Sequence, residues 1–280
     1  MRVLVTGVTG QLGYDVVREL NRRDVECLGT SRKDFDITDA EATYKFITKY
    51  RPDAVVHCSA YTAVDGAEDD ILDCAAANAE GPLNIAKACK KVDAKLIYIS
   101  TDYVFPGTGE EFYEVGDELG PANVYGLTKM TGEINVRDTW DKHFIVRISW
   151  VFGKNGKNFV KTMLRLGAEK EQLKVVGDQI GSPTYTADLA PLLCDMLATD
   201  KYGTYHATNE GVCSWAEFAA EIMRAAKLPC KIVPIPTSEY PTKAVRPLNS
   251  RLSKDKLVEQ GFHRLPTWQD ALHRYLEEIQ

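Results

Sequence analysis

The most constraining feature comes first in the chain: an apolar β-branched run, RVLVT (residues 2–6), breaks into TGVTGQLG, with glycines at 7, 10 and 13, and then YDVVREL at helical spacing. Glycine is required where a turn needs positive φ, where backbone must approach a pyrophosphate, and where a helix packs closely on a strand. The helix start then offers free N–H groups and the positive end of a dipole to phosphates. Such a junction opens a parallel α/β sheet that binds a dinucleotide. The rest of the chain keeps that rhythm. VECLGTS (25–31), DAVVHCSA (53–60), AKLIYIST (94–101) and HFIVRIS (143–149) are further strand patterns, separated by helical patterns near 11–21, 40–50, 70–92 and 124–139. Alternation of this kind means βαβ units, and continuous apolar strands mean helices on both faces.

After Gly153 the rhythm loosens. NFVKTMLRLG reads as a helix, LKVVG as a strand, TADLAPLLCDMLAT as a helix, and GTYHATN as a strand that can return to the first sheet. Ser214 and Glu217 form an S-x-x-E capping box before an apolar-periodic run to Leu228. CKIVPIP reads as a strand, and Thr267 caps a last helix ending near Ile279. The expected fold is a Rossmann-type doubly wound parallel sheet with a smaller, interleaved C-terminal α/β domain. The cofactor domain covers 1–153 and about 178–208, the substrate domain about 154–177 and 209–280, with a ligand cleft between them.

Composition removes several function classes. Thirty-four Lys and Arg against forty Asp and Glu give a net charge of -6, without the broad basic field a nucleic acid polymer needs, so an anionic ligand must be caught locally. Cysteines 27, 58, 74, 89, 194, 213 and 230 include no C-x-x-C pair and read as reduced, buried thiols of a cytoplasmic protein. No apolar run reaches the ~18 residues of a membrane span, and MRVLVTG lacks the plan of a secretory signal. The five histidines show no ligand spacing, so no metal site is expected, and His57 reads as a core residue. G-x-S-x-G and G-K-[ST] motifs are absent.

Within the glycine motif Gly7, Gly10, Gln11, Leu12 and Gly13 are expected to line the cofactor. After the second strand, where an acidic residue would bond the ribose 2′-hydroxyl of NAD, the chain reads Thr30-Ser31-Arg32-Lys33, with no carboxylate until Asp34. Two hydroxyls and a guanidinium suit a 2′-phosphate and favour NADPH. A solvated basic loop serving NADPH and NADH alike is the alternative. Asp36 and Ile37 lie where an adenine can be held, and Ser59, Ala60 and Tyr61 end the strand over 53–60 beside the dinucleotide path.

Tyr125 and Lys129 stand at i and i+4 on one helix face. A phenol ionises near pH 10, and a nearby ammonium lowers that and can also hold the nicotinamide ribose. With thirteen Tyr in the chain, Y-x-x-x-K alone says little. Its context is IYISTDYVF (97–105), where Ser100-Thr101 ends a strand at the sheet's carboxyl edge. There Thr101 can hold a carbonyl oxygen while Tyr125 protonates it and a nicotinamide delivers hydride to the carbon.

Taken together, TGVTGQLG, DITD, SAYTAVDGAE, STDYVFPG, YGLTKMTGE, R-x-x-W-V-F-G, DQIGSPTYTADLA and RPLNSRLS resemble, in order and over nearly the whole chain, the extended short-chain dehydrogenase/reductases, and within them the dTDP-4-dehydrorhamnose reductase family. The acidic pair that dehydratases of the superfamily carry after the Thr is not present, since Asp102 is followed by Tyr103. The resemblance implies reduction of the 4-keto group of dTDP-6-deoxy-L-lyxo-4-hexulose to dTDP-L-rhamnose. It implies Thr101, Tyr125 and Lys129 as the catalytic set. For the nucleotide-sugar substrate it implies Thr101, Asp102, Val104, Trp150 against the sugar, and Asn158, Arg246 and Ser250 toward the diphosphate. Trp150 can instead be read as a core aromatic. Asn78 matches the superfamily's structural Asn. Pro106-Gly107 stands where relatives often read D-G, and Ser59-Ala60-Tyr61 where many read A-A-H or A-A-Y. A monomer or a homodimer is expected; a metal-bridged dimer occurs in some members, but no acidic pair here is assignable to it. Two other readings stay open: a reductase or epimerase of another nucleotide sugar, and a non-catalytic cofactor-binding regulator like the methionine adenosyltransferase regulatory subunits.

Overall fold

The computed structural model describes residues 1–279. The first half alternates strand and helix: β1 (Arg2–Thr6), α1 (Gln11–Arg22), β2 (Glu26–Thr30), α2 (Ala40–Tyr50), β3 (Ala54–His57), α3 (Ile71–Ala75), α4 (Gly81–Val92), β4 (Lys95–Thr101), α5 (Val124–Thr139) and β5 (His143–Ile148). A π-helical turn over Ala76–Glu80 joins α3 to α4, so the helical pattern at 70–92 is continuous but widened in its middle. The second half holds β6 (Val151–Phe152), α6 (Phe159–Glu169), β7 (Gln172–Val176), β8 (Ile180–Gly181), β9 (Thr184–Tyr185), α7 (Thr186–Leu197), β10 (Gly203–His206), β11 (Cys213–Ser214), α8 (Trp215–Ala225), β12 (Lys231–Ile235), β13 (Asn249–Ser250), α9 (Asp255–Glu259) and α10 (Trp268–Ile279).

Six strands form one parallel sheet in the order β10-β5-β4-β3-β1-β2. The GTYH segment does return to it, beside β5. The order reverses between β1 and β3, and a doubly wound sheet opens its ligand crevice at the carboxyl ends of the strands where this happens. Central strands β1, β3 and β5 are buried nearly end to end. One face packs Val3, Val5, Val56 and Phe144 against α1 and α7; the other packs Leu4, Val55, Leu96 and Tyr98 against α2, α4 and α5.

A separate apolar cluster is built from Phe152, Val160, Phe218, Ile222, Trp268 and Tyr275. Over it, β7 pairs with β12, and β8 lies between β11 and β13. The capping box is formed: Glu217 N donates to Ser214 Oγ at 3.1 Å and Ser214 N to the Glu217 carboxylate at 2.6 Å. At the last helix Asp270 N donates to Thr267 Oγ1 at 3.4 Å. Short strands such as β6 and β9 had no signal of their own, because two residues carry no periodicity. Among the described residues no helix is long and apolar enough to cross a membrane. None of them brings together three His, Cys, Asp or Glu side chains able to hold a metal ion.

Candidate active site

A cleft of about 950 Å³ runs along the carboxyl edge of the sheet, from the 30–38 segment past the glycine turn to Thr101, Tyr125, Lys129 and Trp150. Its floor depends on missing side chains. Gly7 has φ +73, and a Cβ there would lie 2.8 Å from the Ser59 backbone nitrogen; at Gly13 it would lie 2.5 Å from the Gly7 carbonyl oxygen. The first opening keeps β1 and β3 together, and the second seats α1 on its strand. Gly10 is the N-cap of α1, which has no side-chain cap and no acidic residue in its first turn. Those N–H groups remain available to a phosphate. Gln11 and Leu12 line the cleft beside them, whereas Gly13 acts from below as packing. Sequence reasoning missed the opposite bank: Asn155 Nδ2 donates to the Thr9 and Gly10 carbonyls at 2.9 and 3.1 Å, and Lys157 lines the cleft. The basic, glycine-containing KNGKN run directly after W-V-F-G was the available signal.

At the far end, Arg32, Asp36 and Ile37 all line the cleft. The Arg32 side chain is 86% exposed and paired with Asp36 at 3.0 Å; Asp34 accepts from Ser31 N at 2.8 Å and Ser31 Oγ at 2.9 Å. The carboxylates are therefore engaged by the residues expected to meet a 2′-phosphate. Ser59, Ala60 and Tyr61 line the middle. Asn78 fixes the last of them: its Oδ1 accepts from Tyr61 N at 2.8 Å and its Nδ2 donates to Tyr61 O at 3.0 Å. The π-helical turn is what carries Asn78 to that position, an instance of a helix irregularity at a functional site.

The chemistry-bearing residues meet where β4 ends. Thr101 is the last residue of β4, and Tyr125 lies in the first turn of α5, whose N-cap Asn123 accepts from Gly126 N at 2.8 Å. One turn on, Lys129 is buried; its Nζ donates to the Ile99 carbonyl at 2.6 Å and sits 4.2 Å from the Tyr98 ring centroid. Burial pulls its pKa down to about 7. Burial pushes the Tyr125 phenol up, with the bonded Thr101 hydroxyl acting weakly the other way. The expected lowering of Tyr125 by Lys129 is not found: burial dominates at the phenol, and the ammonium is turned to the Ile99 carbonyl. Asp102 is buried, accepts from Thr101 Oγ1 at 3.0 Å and from Ser250 Oγ, and burial raises it to about 6.

Of the expected substrate residues, Thr101, Asp102 and Trp150 line the cleft. Val104 does not: the tight turn after Thr101 tucks it, fully buried, against Phe105 and Leu252. Ser250 reaches the site only through Asp102. Asn158 caps α6 and donates to Gln11 Oε1 and Tyr275 Oη, both at 3.0 Å. Arg246 is held by Asp65 at 2.6 Å and the Tyr103 hydroxyl at 3.1 Å, partners that sequence reasoning did not name. His57 is a core residue, its Nδ1 2.8 Å from Thr6 Oγ1.

The chain is similar to known proteins over its whole length. The family model described as RmlD substrate binding domain matches residues 1–280. The chain is 40% identical, over 99% of its length and 97% of the relative's, to the spore coat polysaccharide biosynthesis protein SpsK of Bacillus subtilis. It superposes with a TM-score of 0.98 on the crystal structure of a dTDP-4-dehydrorhamnose reductase from Clostridium acetobutylicum, at 40% identity and with all of both chains covered. The Bacillus anthracis dTDP-4-dehydrorhamnose reductase, solved in complex with NADP, gives a TM-score of 0.97 at 43% identity, with 99% of each chain covered.

Proposed function

The chain belongs to the RmlD family, the dTDP-4-dehydrorhamnose reductases, which are NAD(P)H-dependent oxidoreductases, and from that premise we propose that it reduces the 4-keto group of dTDP-6-deoxy-L-lyxo-4-hexulose to dTDP-L-rhamnose. The observation that carries this reading is the meeting of Thr101, Tyr125 and Lys129 in one cleft with the glycine turn. The residues present fit a dinucleotide: a pyrophosphate finds uncapped N–H groups and a backbone without Cβ atoms in the way. Gly7, Gly10, Gln11 and Leu12 would hold that part, Arg32, Asp36 and Ile37 the adenosine, and Ser59, Ala60, Tyr61 and Lys129 the remainder. When bound, the reduced nicotinamide supplies the hydride.

The protein's own part is proton and charge. Tyr125, kept neutral by burial, is a proton donor at neutral pH, which is what reduction of a carbonyl requires. Thr101 holds the substrate oxygen by turning to it the hydroxyl proton that otherwise goes to Asp102, and the Lys129 charge favours the phenolate left after donation. Asp102 and Trp150 contact the sugar, while Arg246, Asn158 and Ser250 act from behind the wall or from the rim. NADPH is the favoured cofactor, with Ser31 and Arg32 toward the 2′-phosphate. The proposed division is a cofactor domain of 1–153 and about 178–208 and a substrate domain of about 154–177 and 209–280; the return of β10 to the six-stranded sheet supports it, whereas β8 pairs with β11 and β13 of the substrate part. A cytoplasmic location is in keeping with seven free thiols, and the protein is taken to act as a monomer or homodimer.

The test is to follow NADPH and NADH absorbance with the ketosugar made in situ and to identify the product by mass and NMR. Cofactor oxidation with dTDP-L-rhamnose formed is expected; oxidation with a different product moves the substrate assignment elsewhere. Tyr125→Phe is expected to lower turnover by about 10²–10⁴-fold with cofactor affinity retained, and near-normal turnover in that variant would remove Tyr125 from the role.

A further inference from the structure

Trp150 has φ +50, a left-handed backbone that a bulky side chain adopts only when its surroundings impose it. Here they do. Thr184 N donates to the Trp150 carbonyl at 3.2 Å, Thr184 Oγ1 to the Ser149 carbonyl at 2.6 Å, and Ser149 Oγ to the Ser182 carbonyl at 2.7 Å. The indole is confined as well. Trp215, first residue of α8, stacks on it with ring centroids 3.8 Å apart and planes 14° apart. Trp215 is itself backed by Phe159 at 4.6 Å. Gly181 fits under the ring only because it lacks a side chain: a Cβ there would sit 2.9 Å from Trp150 Cε2 and 3.0 Å from Cζ2.

Trp150 lines the cleft beside Thr101 and Asp102, while Trp215 and Gly181 do not. One ring is the working surface and the other two residues are its support. We propose that the Gly181–Thr184 segment and Trp215 form a cradle that holds the Trp150 indole as a wall of the sugar subsite, so that Gly181 and Trp215 are positioning residues for the hexose. A 6-deoxy sugar offers C–H groups and a methyl to such a wall, and a ring clamped beforehand loses little freedom when the sugar arrives. The glycine and hydroxyls of DQIGSPTYT thereby acquire a physical reason. The inference rests on the reading of the cleft as a nucleotide-sugar site.

The experiment compares dTDP-L-rhamnose with dTDP by calorimetry on full-length protein, as wild type, Trp215→Leu and Gly181→Ala, each checked for NADPH binding as evidence of folding. Wild type is expected to bind the sugar nucleotide roughly tenfold tighter than dTDP. Both variants should lose most of that ratio while keeping dTDP and NADPH affinity, and their KM for the ketosugar should rise more than kcat falls. Far-UV circular dichroism should lose the coupled-indole signal in Trp215→Leu and show it altered in Gly181→Ala. A ratio preserved in either variant, or absent from wild type, overturns the cradle. Wild-type oxidation of NADPH by the ketosugar reports separately on the reductase reading.

Discussion

At Lys129 two demands oppose each other: a buried ammonium is costly, yet its charge is what Tyr125 and a ribose would use. Burial brings its pKa to about 7, so the charge is present below that pH and lost above it. The kcat/KM profile is therefore expected to bend downward as pH rises through about 7, and Lys129→Met to remove both the bend and most of the rate. A profile flat to pH 9 would show that the ammonium is not required. Arg32 poses a second question at the same scale. Its guanidinium is shared with Asp36, so Arg32→Ala is expected to raise the KM for NADPH more than for NADH; equal losses would place the 2′-phosphate elsewhere. Both residues were legible from sequence as types at a spacing. What Lys129 bonds to was not, since the Ile99 carbonyl lies on another element; nor were the partners of Arg246, Asp65 and Tyr103, which reach it across the fold.

Elements of the second half depend on their ends. Helix α8 carries Trp215 in its first position and starts at a complete capping box, which satisfies N–H groups that would otherwise be left unpaired. Ser214→Ala is expected to cost about 1 kcal/mol of stability, read as a lower midpoint in urea with the slope unchanged; no shift would mean that packing of Phe218 and Ile222 alone sets the helix start. The capping box, the strand-end hydroxyls and the 3.6-residue periods were readable because each is a local rule within a few residues. Strands β6, β8, β9, β11 and β13, two residues each, were not. Their pairing partners lie up to 69 residues away, and no local pattern announces them.

Across the whole molecule, folding keeps His57 and His206 neutral in the interior, with pKa values near 3 rather than 6.5. Between those values the unfolded chain binds more protons than the native one, so stability falls as pH drops below about 6.5. Glu19, Asp36 and Glu278, held below their ordinary values, add to the loss at lower pH. Asp102 and Asp15, raised by burial, oppose it in part. Lys129, brought down to about 7, acts in the same sense above that pH, so the Tm is expected to decline from pH 8 toward pH 5; a level Tm over that range would mean that the native state accepts those protons. The sequence alone determined the Rossmann-type sheet, the glycine turn and the Thr101, Tyr125, Lys129 set, because periodicity, glycine stereochemistry and i, i+4 spacing act locally. Only tertiary structure decided that Val104 is core, that Asp102 joins Thr101 to Ser250, and that Trp150 is clamped by Gly181 and Trp215. Each of those depends on segments distant in the chain sharing one small volume, where burial and competition for hydrogen bonds choose among side chains of equal local promise.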